Sequence, residues 1–388
     1  MAKVVVAMSG GLDSSVAAAL LKKAGFEVIG VFMKLADLPK FRESEKRAKK
    51  IAKILKIPFL VSDLRKEFKK RIVDYFLEGH KKGITPNPCV VCNKEIKFGL
   101  LLEKALALDA DFIATGHYAK KKEELNFSTG VEKVNYKLLK GGDKNKDQSY
   151  FLWMLNQEQL KRVLFPIGDY TREEVKKLAK KFKLPVLKAR KSVEICFIKT
   201  TLGEEDKSSS SPFAKARVND FLSKYLKSKP GQIVDVRGKV LGKHRGLHFY
   251  TIGQRKGIGL PGGPYYVLNK DLKKNLLIVT KNEKDLYKKE LIAKNVNWIS
   301  GKEPHLRQGF GGQVKFPLKI KAKIRYRHQS ALAVITKTLN PKTYTLKFEK
   351  SQRAITPGQS VVFYLPRSSP KAMVWGKGEE LLGGGIIC

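Results

Sequence analysis

A short string of glycine, serine and aspartate residues lies near the amino terminus, between a strand-like run and a helical pattern. Residues Met8–Ser15 read Met-Ser-Gly-Gly-Leu-Asp-Ser-Ser. The two glycines let the backbone approach a phosphate closely, and free N–H groups at the start of a helix bind anions. Ser9 and Ser14 would add hydroxyl donors, while Asp13 could hold Mg²⁺ or orient the reacting group. We therefore predict a phosphate-binding loop rather than an ordinary tight turn with a helix cap.

The same string excludes the commonest kind of phosphate loop. A Walker A loop needs a lysine directly before its last serine or threonine, to grip the terminal phosphates. Here Leu12 and Asp13 stand at that place. The loop is therefore typical of a pyrophosphate grip, which suits cleavage of ATP between its α- and β-phosphates and formation of an adenylated intermediate.

Three of the four cysteines lie in segments that could carry out thiol chemistry. Cys89 and Cys92 follow a proline-stiffened stretch at the start of a helical pattern, and Cys196 ends the first half of the chain. A helix N-terminus and the adjacent Lys94 both lower a thiol pKa, so we expect Cys92 to be reactive. The alternative is a pair of buried small side chains with a chance Cys-x-x-Cys spacing. We expect the terminal Cys388 to be incidental.

The charge of the chain indicates what kind of partner it binds. Its 388 residues carry 78 Lys+Arg against 36 Asp+Glu, a formal net charge of +42. Such a surface favours a polyanion, and no basic amphipathic helix with aromatic anchors points to a membrane instead. A general habit of lysine-rich surfaces is the alternative. The sequence shows neither a signal segment nor an apolar run of ~20 residues, which predicts a cytoplasmic protein without a membrane span.

The order of the predicted elements indicates the fold. Strand-like and helix-like stretches alternate in the first half, which predicts an α/β fold with a parallel sheet covered by helices. Thr171 and Glu174 form a capping-box pattern before one helix. The polar stretch Gly203–Pro212 marks a boundary, and beyond it short strands such as Leu247–Ile252 alternate with glycine turns.

These patterns divide the chain into three expected domains. The first, over residues 1–202, would bind the nucleotide and carry the catalytic residues. The second, over 203–288, would be small and rich in β-structure, and the third, over 289–388, would be a β-barrel.

Beyond the single motifs, the chain resembles a known superfamily. The phosphate loop after an N-terminal strand is similar to that of the PP-loop ATP pyrophosphatases, whose domain is of the adenine nucleotide α-hydrolase kind. The cysteine segments resemble one of its families, the tRNA-specific 2-thiouridylases (MnmA family), and the resemblance runs in order from residue 3 to 387. Further matching strings are Gly30–Lys34, Ala114–Ala119, Asn145–Leu152, Gly246–Gly257, Ile324–Arg327, Pro357–Phe363 and Leu382–Ile387.

The resemblance implies an activity and partners. The family replaces the carbon-2 oxygen of a wobble uridine in tRNA by sulfur, using ATP with Mg²⁺ and a protein-bound persulfide. Because the uridine oxygen is a poor leaving group, it is first adenylated and then leaves as AMP, and pyrophosphate is the other product. The expected partners are a tRNA with a wobble uridine and a persulfide donor, either a cysteine desulfurase or a sulfur-relay protein. The expected state is a monomer whose C-terminal barrel contacts tRNA.

The family's functional residues carry over to the positions that match its motifs. Cys92 corresponds to the nucleophile and Cys196 to the persulfide carrier, and Asp13 completes the expected catalytic set. The expected ATP-binding residues are Ala7, Met8, Ser9, Gly10, Gly11, Leu12, Asp13, Ser14, Met33 and Gly116. The expected tRNA-binding residues are Asn87, Pro88 and Cys89 at the target base, with His117, Lys146, Asp147, Gln148, Arg325, Tyr326 and Gln359 elsewhere. Taken alone, His117 could equally be a structural histidine, and Arg325 and Tyr326 a solvated strand edge.

Cys89 departs from the family pattern and leaves two sulfur routes open. Many relatives have aspartate at this place, so the loop here is Cys-x-x-Cys. In one route Cys196 carries the transferable sulfur and Cys92 resolves it through a transient disulfide. In the other, Cys89, Cys92 and Cys196 ligate an iron–sulfur cluster that keeps one iron open to bind sulfide. We favour the persulfide route because two cysteines suffice for it.

Two other functions fit parts of the sequence. Another adenylating PP-loop enzyme, such as a 4-thiouridine synthetase or an amidotransferase partner, would have the same phosphate loop. It would also be expected to carry a distinct RNA-capture or sulfur-carrier module, which is not visible. A basic RNA-binding protein with a vestigial loop is the other alternative, and the intact loop together with both cysteines argues against it.

Overall fold

The structure is a computed structural model, and it describes residues 1–128, 131–187, 195–198, 212–303, 316–366 and 379–388. The polar stretch at 203–211, where we expect a domain boundary, lies outside these residues. Within the described ranges, no helix is both long and apolar enough to span a lipid bilayer.

Seven strands belong to the first part of the chain, and five of them form one parallel sheet. In chain order they are β1 (Lys3–Ala7), β2 (Glu27–Lys34), β3 (Phe59–Asp63), β4 (Phe112–Ala114), β5 (Ala119–Ser128), β6 (Val131–Lys140) and β7 (Val163–Leu164). The sheet order is β3-β2-β1-β4-β7, with parallel pairing throughout. Val4, Val5 and Val6 of β1 are fully buried, as expected for a central strand covered on both faces. The predicted α/β architecture is confirmed.

Helices cover this sheet and carry the segments that matter for the site. They are α1 (Leu12–Lys23), α2 (Pro39–Leu55), α3 (Arg65–Phe68), α4 (Asp74–Lys81), α5 (Pro88–Cys92), α6 (Leu101–Leu106), α7 (Gln157–Lys161) and α8 (Arg172–Lys181). Two π-helical stretches, Lys69–Val73 and Asn93–Leu100, join α3 to α4 and α5 to α6. The predicted capping box of α8 is confirmed, since Thr171 and Glu174 each accept the other's backbone N–H.

The central part is a four-stranded sheet preceded by a helix that we do not predict. The helix is α9 (Pro212–Tyr225), and the strands are β8 (Gly231–Val234), β9 (Val240–His244), β10 (Tyr266–Asp271) and β11 (Leu276–Thr280). The strand predicted over Leu247–Ile252 is wrong. Leu247–Phe249 is instead a 3₁₀ turn closed by local hydrogen bonds. Leu247 and Phe249 are both buried, so their alternating spacing imitates a strand.

Six strands of the last part close into a barrel. They are β12 (Tyr287–Trp298), β13 (Leu318–Lys323), β14 (Ala331–Lys337), β15 (Tyr344–Arg353), β16 (Ser360–Tyr364) and β17 (Glu380–Ile387). Antiparallel pairs follow the order β12-β15-β14-β13-β16-β17, and β17 returns to β12. The predicted barrel is confirmed. The hairpin β5–β6 of the first part extends the same sheet, because Leu138 of β6 pairs with Leu381 of β17.

Candidate active site

The phosphate loop lies at the carboxyl end of β1, where the strand passes into α1. Gly10 has φ +69°, and a Cβ there would lie 2.2 Å from the Ser44 carbonyl oxygen, so only glycine fits. Gly11 is the N-cap of α1 and supplies no side-chain cap. The first N–H groups of α1 are therefore left for an anion, as a phosphate site at a helix N-terminus requires. Ser9 and Ser14 lie close by, with their hydroxyl oxygens 3.1 Å apart.

Two further predicted ATP residues lie around this loop. Gly116 follows β4, and a Cβ there would lie 2.6 Å from the Ser14 nitrogen. Met33 lies near the end of β2, on the other side of β1. In open α/β sheets, ligands bind in the crevice outside the carboxyl ends of adjacent strands. The structure thus brings the predicted ATP segments together at one edge of the sheet.

The Asp13 carboxylate is held by two residues that sequence reasoning does not identify. The Tyr118 hydroxyl donates to Asp13 Oδ1 at 2.8 Å, and the Arg172 guanidinium donates to the same oxygen. Burial and the charge of Asp13 raise the pKa of Tyr118 well above its usual range. Burial opposes the charge of Arg172, but Asp13 and Tyr118 together outweigh burial, and the pKa of Arg172 is raised. Arg172 is distant in sequence, so no local spacing could reveal it.

Cys92 ends α5 and is buried where the chain continues into the π-helical stretch. Burial raises the pKa of its thiol to about 12, and the charge of Lys97 opposes this only in part. The expected lowering of this pKa by a helix N-terminus and Lys94 is therefore wrong. Cys92 lies at the carboxyl end of the first helical turns, and Lys94 pairs with Glu95 at 3.6 Å. Desolvation outweighs both effects on which the expectation rests.

Cys196 comes to the same apolar cluster from a distant segment. Its neighbour Phe197 packs edge-on against Phe68 and Phe76, with ring centroids 5.8 and 5.5 Å apart. Cys92 is a buried member of that cluster. Cys196 as a whole residue is exposed to solvent, but the protein packed around its thiol is enough to desolvate the sulfur. The cluster therefore brings the two thiols to one place, within electrostatic range of each other.

Two lysines act on these thiols. Desolvation raises the pKa of Cys196, and the charges of Lys97 and Lys40 oppose the rise. Lys40 Nζ donates to the Ile198 carbonyl at 2.6 Å, which holds the ammonium beside Cys196. Lys97 is half-buried and, among the residues that the structure describes, is the one cation that acts on both Cys92 and Cys196. It lies in the cysteine motif, so the sequence could have suggested it in place of Lys94.

Cys89 lies half-buried one helical turn before Cys92, and all four cysteines are in the thiol form. Among the residues that the structure describes, no three His, Cys, Asp or Glu side chains are grouped so as to hold a metal ion. What the described residues provide at this place is a set of thiols beside lysines.

We call residues 87–89, which are expected to contact the target base, the base loop. Two predicted tRNA residues lie where this loop faces the barrel. Burial raises the pKa of Tyr150, and the Asn87 side chain lies close enough to its hydroxyl to oppose that rise. The Arg325 guanidinium donates to the Ala354 carbonyl at 2.6 Å and to Thr356 Oγ1 at 2.8 Å. Arg325 is half-buried rather than a solvated strand edge. Its charge lies within electrostatic range of Tyr150, so this arginine and the base loop share one locality.

Two more of these residues fasten neighbouring segments to each other. Gln359 Nε2 donates to the Thr85 carbonyl at 2.8 Å, which ties the barrel to the start of the base loop. The Tyr326 ring lies 4.5 Å from the Phe151 ring, centroid to centroid. Both predicted residues therefore join the barrel to the first part of the chain.

The remaining predicted tRNA residues lie nearer the phosphate loop. Lys146 is exposed, whereas His117 is only 8% exposed and hydrogen-bonds Thr115 Oγ1 through Nδ1 at 2.7 Å. Burial lowers the pKa of His117 well below its usual range, so its imidazole is neutral. Asp147 and Gln148 accept backbone N–H groups of nearby residues. In this structure Lys146 is thus the one of these four that faces solvent.

Comparison with known proteins covers the whole chain. Family models match residues 2–200 as a tRNA methyl transferase HUP domain, 219–281 as a tRNA methyl transferase PRC-barrel domain and 288–387 as an aminomethyltransferase beta-barrel domain. A solved structure, the U34-tRNA thiolase NcsA from Methanococcus maripaludis with its 4Fe-4S cluster, aligns with a TM-score of 0.33 and 20% identity. It covers 48% of this chain and 59% of that one, a likeness too low to bear on the sulfur route.

Two curated relatives are much closer in sequence. The tRNA-specific 2-thiouridylase MnmA 2 of Thermoanaerobacter sp. is 44% identical, over 99% of this chain and 97% of the relative. The tRNA-specific 2-thiouridylase MnmA of Moorella thermoacetica is 42% identical, over 99% and 98%. With this likeness from end to end, and with the phosphate loop and paired cysteines assembled as described, the chain belongs to the tRNA-specific 2-thiouridylase family.

Proposed function

We propose that this chain adenylates the C2 oxygen of a wobble uridine in tRNA and replaces it with sulfur from a cysteine persulfide. Family membership gives the class of enzyme, a tRNA sulfurtransferase. The roles of single residues, the wobble position and the persulfide route are our proposal. The observation that carries it is the convergence of Cys92 and Cys196, from separate segments, in one cluster.

The first step would take place at the phosphate loop. ATP would lay its phosphates on the first N–H groups of α1, against a backbone kept open by Gly10. When bound, Mg²⁺ would neutralise phosphate charge, and Asp13 is the carboxylate suited to hold it together with the phosphates. Arg172 already lies beside Asp13. Its guanidinium is the donor suited to stabilise the departing pyrophosphate while the uridine oxygen takes the adenylyl group.

The sulfur steps balance with two cysteines and one persulfide. The terminal sulfur of a Cys196 persulfide attacks C2 of the adenylated uridine, and the C2–O bond to AMP breaks. The Cys92 thiolate then attacks Cys196 Sγ. The bond between Cys196 Sγ and the transferred sulfur breaks, and its electron pair stays on that sulfur, which becomes the sulfur of 2-thiouridine. The resulting Cys92–Cys196 disulfide is reduced with two electrons by a thiol reductant, and a persulfide donor reloads Cys196. Lys97 would stabilise the Cys92 thiolate.

The decisive experiment is mass spectrometry of tRNA nucleosides after incubation with ATP and a persulfide donor. We expect 2-thiouridine from the wild type and none from Cys92→Ser or Cys196→Ser. Both variants should retain pyrophosphate release on addition of tRNA, since their phosphate loop is intact. Cys388→Ser is the matched control and should retain product and pyrophosphate. Product from Cys196→Ser would reject the persulfide carrier, and no product from the wild type would reject the function.

Other expectations form part of the same proposal. We place the domain boundaries after residues 202 and 288, and we infer a cytoplasmic monomer that receives sulfur from a cysteine desulfurase or a sulfur-relay protein. Iron–sulfur ligation by Cys89, Cys92 and Cys196 is the alternative to the persulfide route. The two routes differ in their need for Cys89, which makes Cys89 the residue to vary.

A further inference from the structure

A cavity of about 140 Å³ lies where all three parts of the chain meet. The segment Lys82–Thr85 forms one wall, Lys270 and its neighbours form the second, and Thr356 and Pro357 form the third. The cavity has no acidic residue in its walls. It lies next to the base loop, because Thr85 stands two residues before Asn87. None of the roles assigned so far uses this space.

Lys270 is unusual among the half-buried lysines that the structure describes. Its ammonium donates to the Tyr250 carbonyl at 2.9 Å, and desolvation lowers its pKa to about 8. Burial also lowers the pKa of Lys121 and Lys323, but acidic residues near each of them oppose the shift. For Lys270 desolvation is the sole cause, so no carboxylate in the described part of the chain compensates its charge. A buried ammonium without a counterion is costly, and an anion would relieve that cost.

Thr85, a residue in the cavity wall, has a hydroxyl that is enclosed by protein rather than open to the cavity. Thr85 Oγ1 is buried and has no hydrogen-bond partner among the described residues. The backbone around it is fixed, since Thr85 N–H donates to the Pro357 carbonyl at 2.9 Å and its carbonyl accepts from Gln359. Lys82 is exposed at the edge of the same cavity. The cavity wall thus holds two ammonium groups, and Lys270 keeps two N–H donors beyond its bond to Tyr250. Ammonium donors of this kind are what a phosphate oxygen accepts from.

We propose that this junction cavity binds a backbone phosphate of tRNA, the phosphodiester beside the reacting uridine, through Lys270 and Lys82. The inference rests on the proposed function, because it needs tRNA to enter at the base loop. A phosphate held there would join the first and second parts of the chain, beside the wall that the third part supplies. By binding Lys82 it would also fix the segment Lys82–Thr85, and with it the position of Asn87 and Cys89 relative to the uridine.

The test is a thermodynamic cycle between the protein and an anticodon stem-loop RNA. One RNA keeps all its phosphates, and others carry a neutral methylphosphonate on either side of the wobble uridine. For the wild type, we expect the methylphosphonate on one side of the wobble uridine to weaken RNA binding by about tenfold. For Lys270→Met, we expect the same methylphosphonate to cause no further loss of affinity. The Lys270→Met variant should also lower the slope of log Kd against log salt by about 0.7–0.9, the share of one phosphate.

Three controls keep the result interpretable. Lys273→Met removes the same charge from an exposed lysine nearby, so equal losses in both variants would overturn the proposal. Lys270→Arg keeps a cation and should retain coupling to the methylphosphonate, which separates a lost contact from a damaged fold. Calorimetric titration with inorganic phosphate tests the other source of this anion. If inorganic phosphate binds only when Lys270 is present, while Lys270→Met shows no coupling to the methylphosphonate in the RNA, the cavity binds free phosphate. That result would overturn the tRNA assignment.

Failure of this inference and failure of the proposed function give different results. If the wild type forms 2-thiouridine but the cycle shows no coupling at Lys270, the inference alone is rejected. If coupling is found but no 2-thiouridine forms, the site stands as an RNA phosphate site and the proposed chemistry is rejected.

Discussion

The phosphate-loop region and the cysteine region are built in opposite ways. At the phosphate loop, charge is compensated by direct bonds, because Arg172 and Tyr118 hold the Asp13 carboxylate. At the cysteines, burial outweighs the lysine charges, and the thiols of Cys92 and Cys196 keep their protons. The phosphate-loop region is preorganised to bind its ligand. The cysteine region keeps its thiols protonated, which is their unreactive form.

This difference matches the order of the chemistry that we propose. Adenylation must come before sulfur transfer, since the uridine oxygen leaves only once it has been activated. Thiolates are also the form of cysteine that oxidises. A protein that keeps the Cys92 thiol protonated therefore protects it from oxidation between turnovers. The contrast can be tested from both sides.

The largest effect is expected from a substitution in the phosphate-loop region. Asp13→Ala should abolish tRNA-dependent pyrophosphate release, because the loop loses the carboxylate suited to Mg²⁺. Affinity for tRNA should stay within about twofold, since Asp13 carries little of the charge that binds a polyanion. Pyrophosphate assays check the loss of turnover, and titrations of the same preparation with tRNA check that the affinity is kept. Normal turnover in this variant would show that the loop plays no part in the reaction.

The cysteine region can be tested through the rate at which its thiols are alkylated. Because the pKa of Cys92 is raised to about 12, its reaction with iodoacetamide at pH 8 should be at least ~10²-fold slower than that of a free cysteine. The rate should still rise above pH 9, where a free cysteine approaches its plateau.

A pair of lysine variants identifies the cation that matters for these thiols. Lys97→Met should slow alkylation of both Cys92 and Cys196, since it removes the charge that favours each thiolate. Lys94→Met is the matched control and should change neither rate. Rapid labelling of Cys92 in the wild type would remove the contrast between the two regions.

A smaller effect sharpens the role of Arg172. Arg172→Gln should weaken binding of ATP by about tenfold and leave AMP unchanged, if its guanidinium contacts the phosphates that leave. The same loss should persist when Asp13 is already asparagine. Calorimetric affinities for ATP and AMP in the single and double variants provide the cycle. Full recovery of ATP binding in the double variant would mean that Arg172 only neutralises Asp13.

The smallest effect is expected at Cys89. Aerobically purified Cys89→Asp and Cys89→Ser enzymes, supplied with a persulfide donor, should form 2-thiouridine within about threefold of the wild-type rate, because two thiols suffice for exchange. Cys89→Asp restores the residue common in relatives, and Cys89→Ser weakens a thiolate ligand. If activity needs anaerobic iron–sulfur reconstitution and disappears in Cys89→Ser, the cluster route is the correct one.

The sequence predicts local features well and tertiary effects poorly. The phosphate loop, the capping box at Thr171 and the alternating elements depend on neighbours in the chain, and all appear as expected. The pKa of Cys92 depends on what covers it, so the local features used to predict it, the helix N-terminus and Lys94, give the wrong direction. The bond from Arg172 to Asp13 likewise joins segments that no local pattern relates. Burial and long-range pairing are where inference from sequence ends.

The attachment of the hairpin β5–β6 to strand β17 has a consequence for biosynthesis. The inner edge of β6 pairs with residues at the far end of the chain, and Glu379 forms ion pairs with both Lys140 and Lys321. During translation this edge therefore waits for more than two hundred further residues, and an unpaired strand edge is a site of aggregation. Strand β17 also closes the barrel against β12. The first part of the chain and the barrel thus reach their final form together, once β17 has been synthesised and can pair with both β6 and β12.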